Sequence, residues 1–429
     1  MIQVQSSAMI PQDILSTRYM SAKAIYADFG VDTEKIVKQL SNIPISLNCW
    51  QADDVQGFER KTSKGGGILA TGTYPGAART IEDVQNDAEF AFRFLPGKKK
   101  FNLHAIYGNF SEVHDRRDIE PEHFQIWVDW AKKLGIGLDF NPTLFSHEKA
   151  KDDLTLCHPD RSIRYYWIEH VKKSRSIATW IGNQLKKTCI NNLWIPDGTK
   201  DDPIDRYRYR ERLLNSLDEI YSEKIDLNYF RDSVEGKLFG LGIESFTAGS
   251  HEFYSNYTSA HPEIMLCLDM GHFHPTESVG DKISSHLVFE KEILLHVSRG
   301  VRWDSDHVPI WDDQLRNVMQ EVVRSGKLNK VHLALDFFDA TIHRIAAWII
   351  GFQATQKALL GALLEPIKIL KEFEDTLNYT GKLALLEEIK TLPVMDVWNY
   401  YCSTQKVPIG SSWMEQLKDY EKNVTSSRK

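Results

Sequence analysis

Eight short apolar segments recur along the chain, each ending in polar side chains and each followed by a stretch with helical periodicity. This rhythm limits the folds open to the sequence more than any other feature. The segments are 45–49, 101–106, 137–140, 191–195, 238–243, 265–268, 293–297 and 331–335. Their apolar residues are mostly consecutive rather than alternating, which suits strands covered on both faces, as in a parallel sheet crossed over by helices. Helices are readable between them at 121–134, 161–185, 206–229 and 310–325, the first opening on Pro121 and closing on Gly135. Eight such units within 429 residues predict an α/β chain folded as a (β/α)8 TIM barrel.

Helical patterns also flank the barrel. Residues 13–42 carry Ile36, Val37 and Leu40 at helical spacing before Pro44, and 342–364 can close the barrel, leaving 369–392 and 413–424 as helices of a charged tail. The expected organisation is an N-terminal helical segment (1–44), a catalytic barrel (45–364) and a C-terminal helical extension (365–429). A closed barrel offers the extension no obvious place, so it is expected to contact another subunit.

Composition excludes some function classes. A hydrophobic share of 42% with 26% charged residues supports a large core, and a net charge of −7 gives no reason to expect a nucleic-acid partner. The basic clusters Lys98-Lys99-Lys100 and 206–212 are short and read as solvated faces. The most apolar long stretch, 345–364, is broken by Gln353, Thr355, Gln356 and Lys357, so it reads as a buried helix and no membrane partner is expected. Cys49, Cys157, Cys189, Cys267 and Cys402 are scattered and odd in number, and Met1 to Ser7 lack a basic-then-apolar pattern; a reducing cytoplasm is the expected location.

The chemistry gathers at the segment ends. Read in order, they offer His104, Asp139, Asp197, Glu244, Asp269 with His272, His296, Asp304 with Asp306, and Asp336 with Asp339. Taken singly, any of these could cap a helix or pair with a base. A ring of acids and histidines from the later strands is different, because like charges so close repel unless a cation neutralises them. Mixed carboxylate and imidazole donors suit Mn2+, Co2+ or Zn2+ better than Ca2+, and there are donors enough for two ions. Asp304 and Asp306 fall on one side of an extended segment, whereas His272 needs a turn after Asp269 to join them.

With these residues in place, the chain resembles the L-rhamnose isomerase family of xylose-isomerase-like barrels. The strings that carry the resemblance are long and span most of the sequence: Asn48-Cys49-Trp50-Gln51-Ala52-Asp53-Asp54-Val55, Asn102-Leu103-His104-Ala105-Ile106-Tyr107, Leu193-Trp194-Ile195-Pro196-Asp197-Gly198, Asp269-Met270-Gly271-His272-Phe273-His274-Pro275, Arg302-Trp303-Asp304-Ser305-Asp306-His307 and Leu335-Asp336-Phe337-Phe338-Asp339. The resemblance implies a cytoplasmic homotetramer using manganese, or a similar divalent ion, to interconvert L-rhamnose and L-rhamnulose. It implies His272, Asp304 and Asp306 as ligands of a catalytic ion, and Glu244, Asp269, His296 and Asp336 as ligands of a structural one. His104 matches the histidine that assists opening of the sugar ring, and Asp336 is expected beside the group that takes the O2 proton. Two positions after Glu244 stands Phe246, where xylose isomerases place a lysine; this departure favours the rhamnose branch.

An aldose becomes its ketose when hydrogen moves from C2 to C1. A divalent ion suits that step by polarising the carbonyl and fixing the two sugar oxygens. A hydride shift and an enediol route are both open to these residues. The competing readings are another, xylose-isomerase-like aldose-ketose isomerisation and, behind it, a metal-dependent hydrolase on the same barrel, which for a DNA substrate would need a positive groove in an acidic chain.

Overall fold

The computed structural model describes residues 11–59, 72–112, 114–238, 245–289, 291–301 and 303–428, with the side chains of 303 and 304 also outside the description. Eight parallel strands close into one barrel: β1 Ile45–Asn48, β2 Lys99–His104, β3 Gly137–Asn141, β4 Cys189–Leu193, β5 Phe230–Glu235, β6 Ile264–Asp269, β7 Ile293–Val297 and β8 Val331–Leu335. The barrel runs β1-β8-β7-β6-β5-β4-β3-β2, so β1 pairs with both β2 and β8.

Two helices precede the barrel, α1 Gln12–Asp28 and α2 Thr33–Leu40. Each strand is then followed by its own helix: α3 Ile81–Phe92, α4 Gln125–Leu134, α5 Arg161–Leu185, α6 Arg206–Tyr221, α7 His251–Ala260, α8 Gly280–Leu287, α9 Asp313–Arg324 and α10 Arg344–Leu363. Capping side chains fix where many of them start. Thr80 and Asp83 form a reciprocal capping box on α3, and Asp160, Asp205, Ser250 and Asp312 each accept a backbone N–H at their own helix, worth about 1 kcal/mol apiece. As expected from the sequence, α4 stops at Gly135, whose φ of +68° is the left-handed turn that glycine takes without strain. Helix α10 is buried along almost its whole length, because α3 and α9 flank it and the helix Val394–Thr404 adds cover. No described helix is long and apolar enough to cross a membrane.

Between barrel and helices lies an aromatic layer of Phe101, Trp127, Trp130 and Trp348, with ring centroids 5.2–6.0 Å apart around Phe101. The Trp348 indole N–H donates to the Asn48 carbonyl at 2.9 Å, so burying it leaves no donor unmatched.

One correction to the sequence reading emerges. The fifth strand is Phe230–Glu235 rather than 238–243; α6 ends at Tyr221, well before 229, and of the expected strand all but Leu238 lies outside the described residues. The expected strand was chosen for its apolar residues, whereas the true one carries charge. Asp232 pairs with Arg175 of α5 at 2.9 Å, and Arg231 with Glu292 at 3.1 Å.

The C-terminal extension forms α11 Ile367–Asp375, α12 Tyr379–Glu388, α13 Val394–Thr404 and α14 Trp413–Asn423. Half of it packs on its own chain. Tyr400 of α13 stacks on Tyr19 of α1 with centroids 3.5 Å apart, and Arg18 pairs with Asp396 at 2.8 Å. Beyond α14, Arg428 reaches Asp87 on α3 at 2.6 Å. Apolar side chains stay exposed around α11 and α12, with Leu377 between them 69% and Leu383 62% exposed.

Candidate metal centre

Strand register brings the ligand types together. On β6 and β7, Asp269 stands directly beside His296, and on β5 and β6, Glu235 stands beside Cys267. Asp336 follows β8 by one residue, its N–H donating to Val297 of β7 at 3.2 Å. In consequence one oxygen each from Glu235, Asp269 and Asp336 and one nitrogen from His296 fall within 4.8 Å of one another. Around Nδ1 of His296 the oxygens lie at 3.0 Å (Asp336), 3.3 Å (Glu235) and 3.5 Å (Asp269).

The donors are buried and incompletely matched. Asp269 spends Oδ1 on the Gly271 N–H at 2.6 Å and the Ser298 hydroxyl at 2.8 Å, while its Oδ2 and both ring nitrogens of His296 have no hydrogen-bond partner. Buried polar atoms are rarely left so, and here Asp269 Oδ2 lies 3.5 Å from His296 Nδ1. Burial pushes Glu235 upward, but the His296 charge and the bond to His272 outweigh it and hold the carboxyl well below the usual range. Burial likewise disfavours a charged His296, yet Cys267, Glu235 and Asp336 around it hold the imidazole well above its usual range. Burial, with Glu235 and Asp269 nearby, leaves Asp336 raised despite His296. Three carboxylates around one imidazole leave the cluster short of positive charge even when the imidazole is protonated. A divalent ion supplies it without a proton and leaves the imidazole neutral as a ligand, so the residues fit a metal.

The remaining residues singled out from the sequence are placed as follows. His272 comes three residues after Asp269, its Nδ1 3.0 Å from Glu235 Oε1 and 3.2 Å from the Gly236 carbonyl, so Glu235 lies between it and the ring. Asp306 belongs to a hairpin of Arg299–Val301 with Trp303–His307, and its carbonyl accepts the Phe338 N–H at 3.3 Å, which ties that hairpin to the segment after β8. Its φ of +46° is a conformation few non-glycine residues adopt. Glu244 lies outside the described residues, as does the side chain of Asp304.

At the end of β2, His104 is buried, with Nδ1 2.9 Å from the Thr143 hydroxyl and its ring edge-on to Trp50 at 4.4 Å. Burial and the nearby Arg116 charge push its pKa down to about 3, so the imidazole is neutral. Phe145 stands 5.6 Å from both His104 and Trp194, and the Trp194 indole N–H is buried without a partner. The other acids are structural. Asp139 pairs with Lys100, Asp197 accepts the N–H groups of Thr155 and Cys157, and Asp339 accepts those of Val308 and Thr341.

The sequence reading missed Glu235, which stands in the ring where Glu244 was expected. A signal existed. Two positions after Glu235 comes Lys237, the lysine sought in vain after Glu244, and its Nζ lies 5.0 Å over the Trp194 ring. Lys237 therefore removes the missing lysine as a distinction from xylose isomerases.

Comparison with known proteins adds a family. Residues 13–428 match the family model described as L-rhamnose isomerase (RhaA). The L-rhamnose isomerase of Listeria innocua serovar 6a is 52% identical over 415 residues, covering 96% of this chain and 99% of its own. That of Pectobacterium carotovorum subsp. carotovorum is 50% identical with the same coverage. Among solved structures, a D-allulose 3-epimerase from Methylomonas sp. aligns over 74% of this chain and 96% of its own with 10% identity and a TM-score of 0.45, too loose a likeness to carry any argument.

Proposed function

Since the chain belongs to the L-rhamnose isomerase family, we propose that it interconverts L-rhamnose and L-rhamnulose by transfer of hydrogen between C2 and C1, with two divalent ions, manganese foremost and Co2+ or Zn2+ as substitutes. The observation that carries the metal reading is the ring itself, in which oxygens of Glu235, Asp269 and Asp336 converge within 3.0–3.5 Å of His296 Nδ1. Glu235, Asp269, His296 and Asp336 would hold one ion. His272 and Asp306, with Asp304, would hold the other. Bound there, divalent ions supply Lewis-acid polarisation of the sugar carbonyl and a fixed template for its oxygens.

The chain's own groups have complementary tasks. His104, neutral and oriented by Thr143, can pass a proton at the ring oxygen while the sugar opens. Trp50, Phe145 and Trp194 form an apolar flank beside it, and the Trp194 indole N–H is free to donate to a sugar hydroxyl. Lys237 lies over that same ring, near enough for its ammonium to support charge developing on a substrate oxygen. Burial of the ring lowers the local dielectric and strengthens each of these interactions.

A cytoplasmic homotetramer completes the proposal. Exposed Leu377, Leu383 and Met20 give apolar surface for subunit contacts, and all five cysteines are free thiols. Incubating the purified protein with Mn2+ and L-rhamnose and assaying ketose tests the reading. Ketose should form, EDTA should abolish it, and added Mn2+ should restore it. No ketose from L-rhamnose, or turnover untouched by EDTA in protein shown to be metal-free, would refute it.

A further inference from the structure

The opposite end of the barrel, where the strands begin, holds a cavity of about 1010 Å³. The Lys98-Lys99-Lys100 run, read from sequence as a solvated face, forms part of its wall. Five lysines line it, Lys98, Lys99, Lys100, Lys186 and Lys187, against one acid, Asp139. Lys100 takes that acid, and Asp139 also accepts the Ile190 N–H at 2.8 Å. The other four ammonium groups have no carboxylate partner among the described residues. Lys99 donates only to the carbonyls of Leu95 and Gly97, at 2.7 and 2.9 Å. Lys187 donates to the Gly135 carbonyl, and Lys186 sits 5.3 Å over the Tyr229 ring. Lys186 also holds a φ of +52° at the end of α5, where glycine would be unstrained.

In a chain of net charge −7, so much positive charge around one concavity is a local reversal. Burial pushes Lys99 down to about 8, and burial with the Lys98 charge lowers Lys187, so an anion among them would relieve each. Asn42, Asn228 and Asn329 on the same wall offer amide groups to hydroxyls, and the volume suits a ligand larger than an inorganic ion. We propose that this basal cavity binds a phosphate ester of sugar size, its phosphoryl group held by Lys98, Lys99 and Lys187. Binding there stabilises the folded chain without competing for the metal-bearing mouth, because the two sites occupy opposite ends of the barrel.

The test is calorimetric titration of the full-length, metal-loaded protein with glucose 6-phosphate, with inorganic phosphate and glucose as separate arms. Saturable binding of the ester is expected, weaker binding of inorganic phosphate and none of glucose. The double variant Lys98→Glu/Lys187→Glu should weaken ester binding by about tenfold or more, while Lys98→Arg/Lys187→Arg retains it. Undiminished ester binding in the charge-reversed protein, or no saturable binding to wild type, would overturn the proposal. So would inorganic phosphate binding as tightly as the ester. A change of subunit number in Lys98→Glu/Lys187→Glu by light scattering would overturn it too, since the lysines would then face another subunit.

Discussion

Replacing Glu235 by glutamine removes one charge from the ring while keeping its shape. The carboxylate lies 3.3 Å from His296 and 3.0 Å from His272. With a divalent ion bound and the imidazoles neutral, the carboxylate faces the cation instead; at a comparable separation and an effective dielectric constant of about 20 that attraction is worth roughly 5 kcal/mol per unit of positive charge, and leaving a buried charge without its partner costs about 3–5 kcal/mol. Loss of one carboxylate donor on that scale corresponds to metal binding weaker by two to three powers of ten, at about 1.4 kcal/mol for each. We therefore expect Glu235→Gln to lose one of two ions, with affinity for it reduced by about a hundredfold or more. Glu244→Gln should leave both ions bound, because Glu235 already fills the corner of the ring between Asp269, His296 and His272. The assay is titration of metal-stripped protein with Mn2+, following free ion by electron paramagnetic resonance and total metal by elemental analysis. Two ions bound at wild-type affinity in Glu235→Gln would refute the reasoning. One ion lost from Glu244→Gln would refute it as well.

His272→Ala should lower turnover of L-rhamnose by about a hundredfold or more with little change in unfolding midpoint, whereas Asp269→Asn should lower both, since its ion also ties β6 to its neighbours; near-normal turnover in His272→Ala at saturating metal would count against the assigned ligand sets. Buried Asp53 has its pKa pushed up to about 7 by burial despite bonds from Tyr107 and Gly57. The folded state therefore keeps a proton that the unfolded state loses near pH 4, so this group's stabilisation is present at low pH and lost as pH rises toward 7. Urea midpoints of Asp53→Asn should fall less than those of wild type between pH 5 and 8, and parallel curves would refute the assignment. Arg428 pairs with buried Asp87 at 2.6 Å and with Asp83 at 3.2 Å, so Arg428→Ala should cost about 3 kcal/mol in denaturant unfolding; a change below about 0.5 kcal/mol would show the C-terminal contact to be dispensable.

Seven of the eight barrel strands were legible because their apolar runs coincide with burial on both faces. The fifth was not. Its outward Asp232 is neutralised by Arg175, a residue distant in sequence on α5, so the strand's charge is visible in one dimension while its partner is not. The error then propagated, since a strand placed too late puts the wrong glutamate at its end and makes Lys237 look misplaced. Asp269, His296 and Asp336 escaped it because each closes a run that is apolar on its own, and register alone carries them together. The packing of the tail on its own chain was hidden for a related reason. Periodicity shows that α13 and α14 are helices, but the Tyr19–Tyr400 stack and the Arg428–Asp87 pair join chain ends too far apart for any local pattern to reveal.

The barrel interior explains why the ring forms where it does. On one side Ile190, Met265, Cys267, Leu294 and Ala334 pack into a small apolar cluster below it, which keeps the local dielectric low. On the other side the lining turns polar, and the Ser233 hydroxyl donates to Asn192 Oδ1 at 2.6 Å. With its oxygen occupied, the Asn192 amide can present only N–H to its remaining neighbour, and that neighbour is Glu235 Oε2. A donor fixed in this sense favours the ionised carboxylate and holds it in place before any ion arrives. The low-dielectric side thus strengthens attraction to a cation, while His296 and His272 keep Glu235 charged and the Asn192 amide fixes the position of its carboxylate.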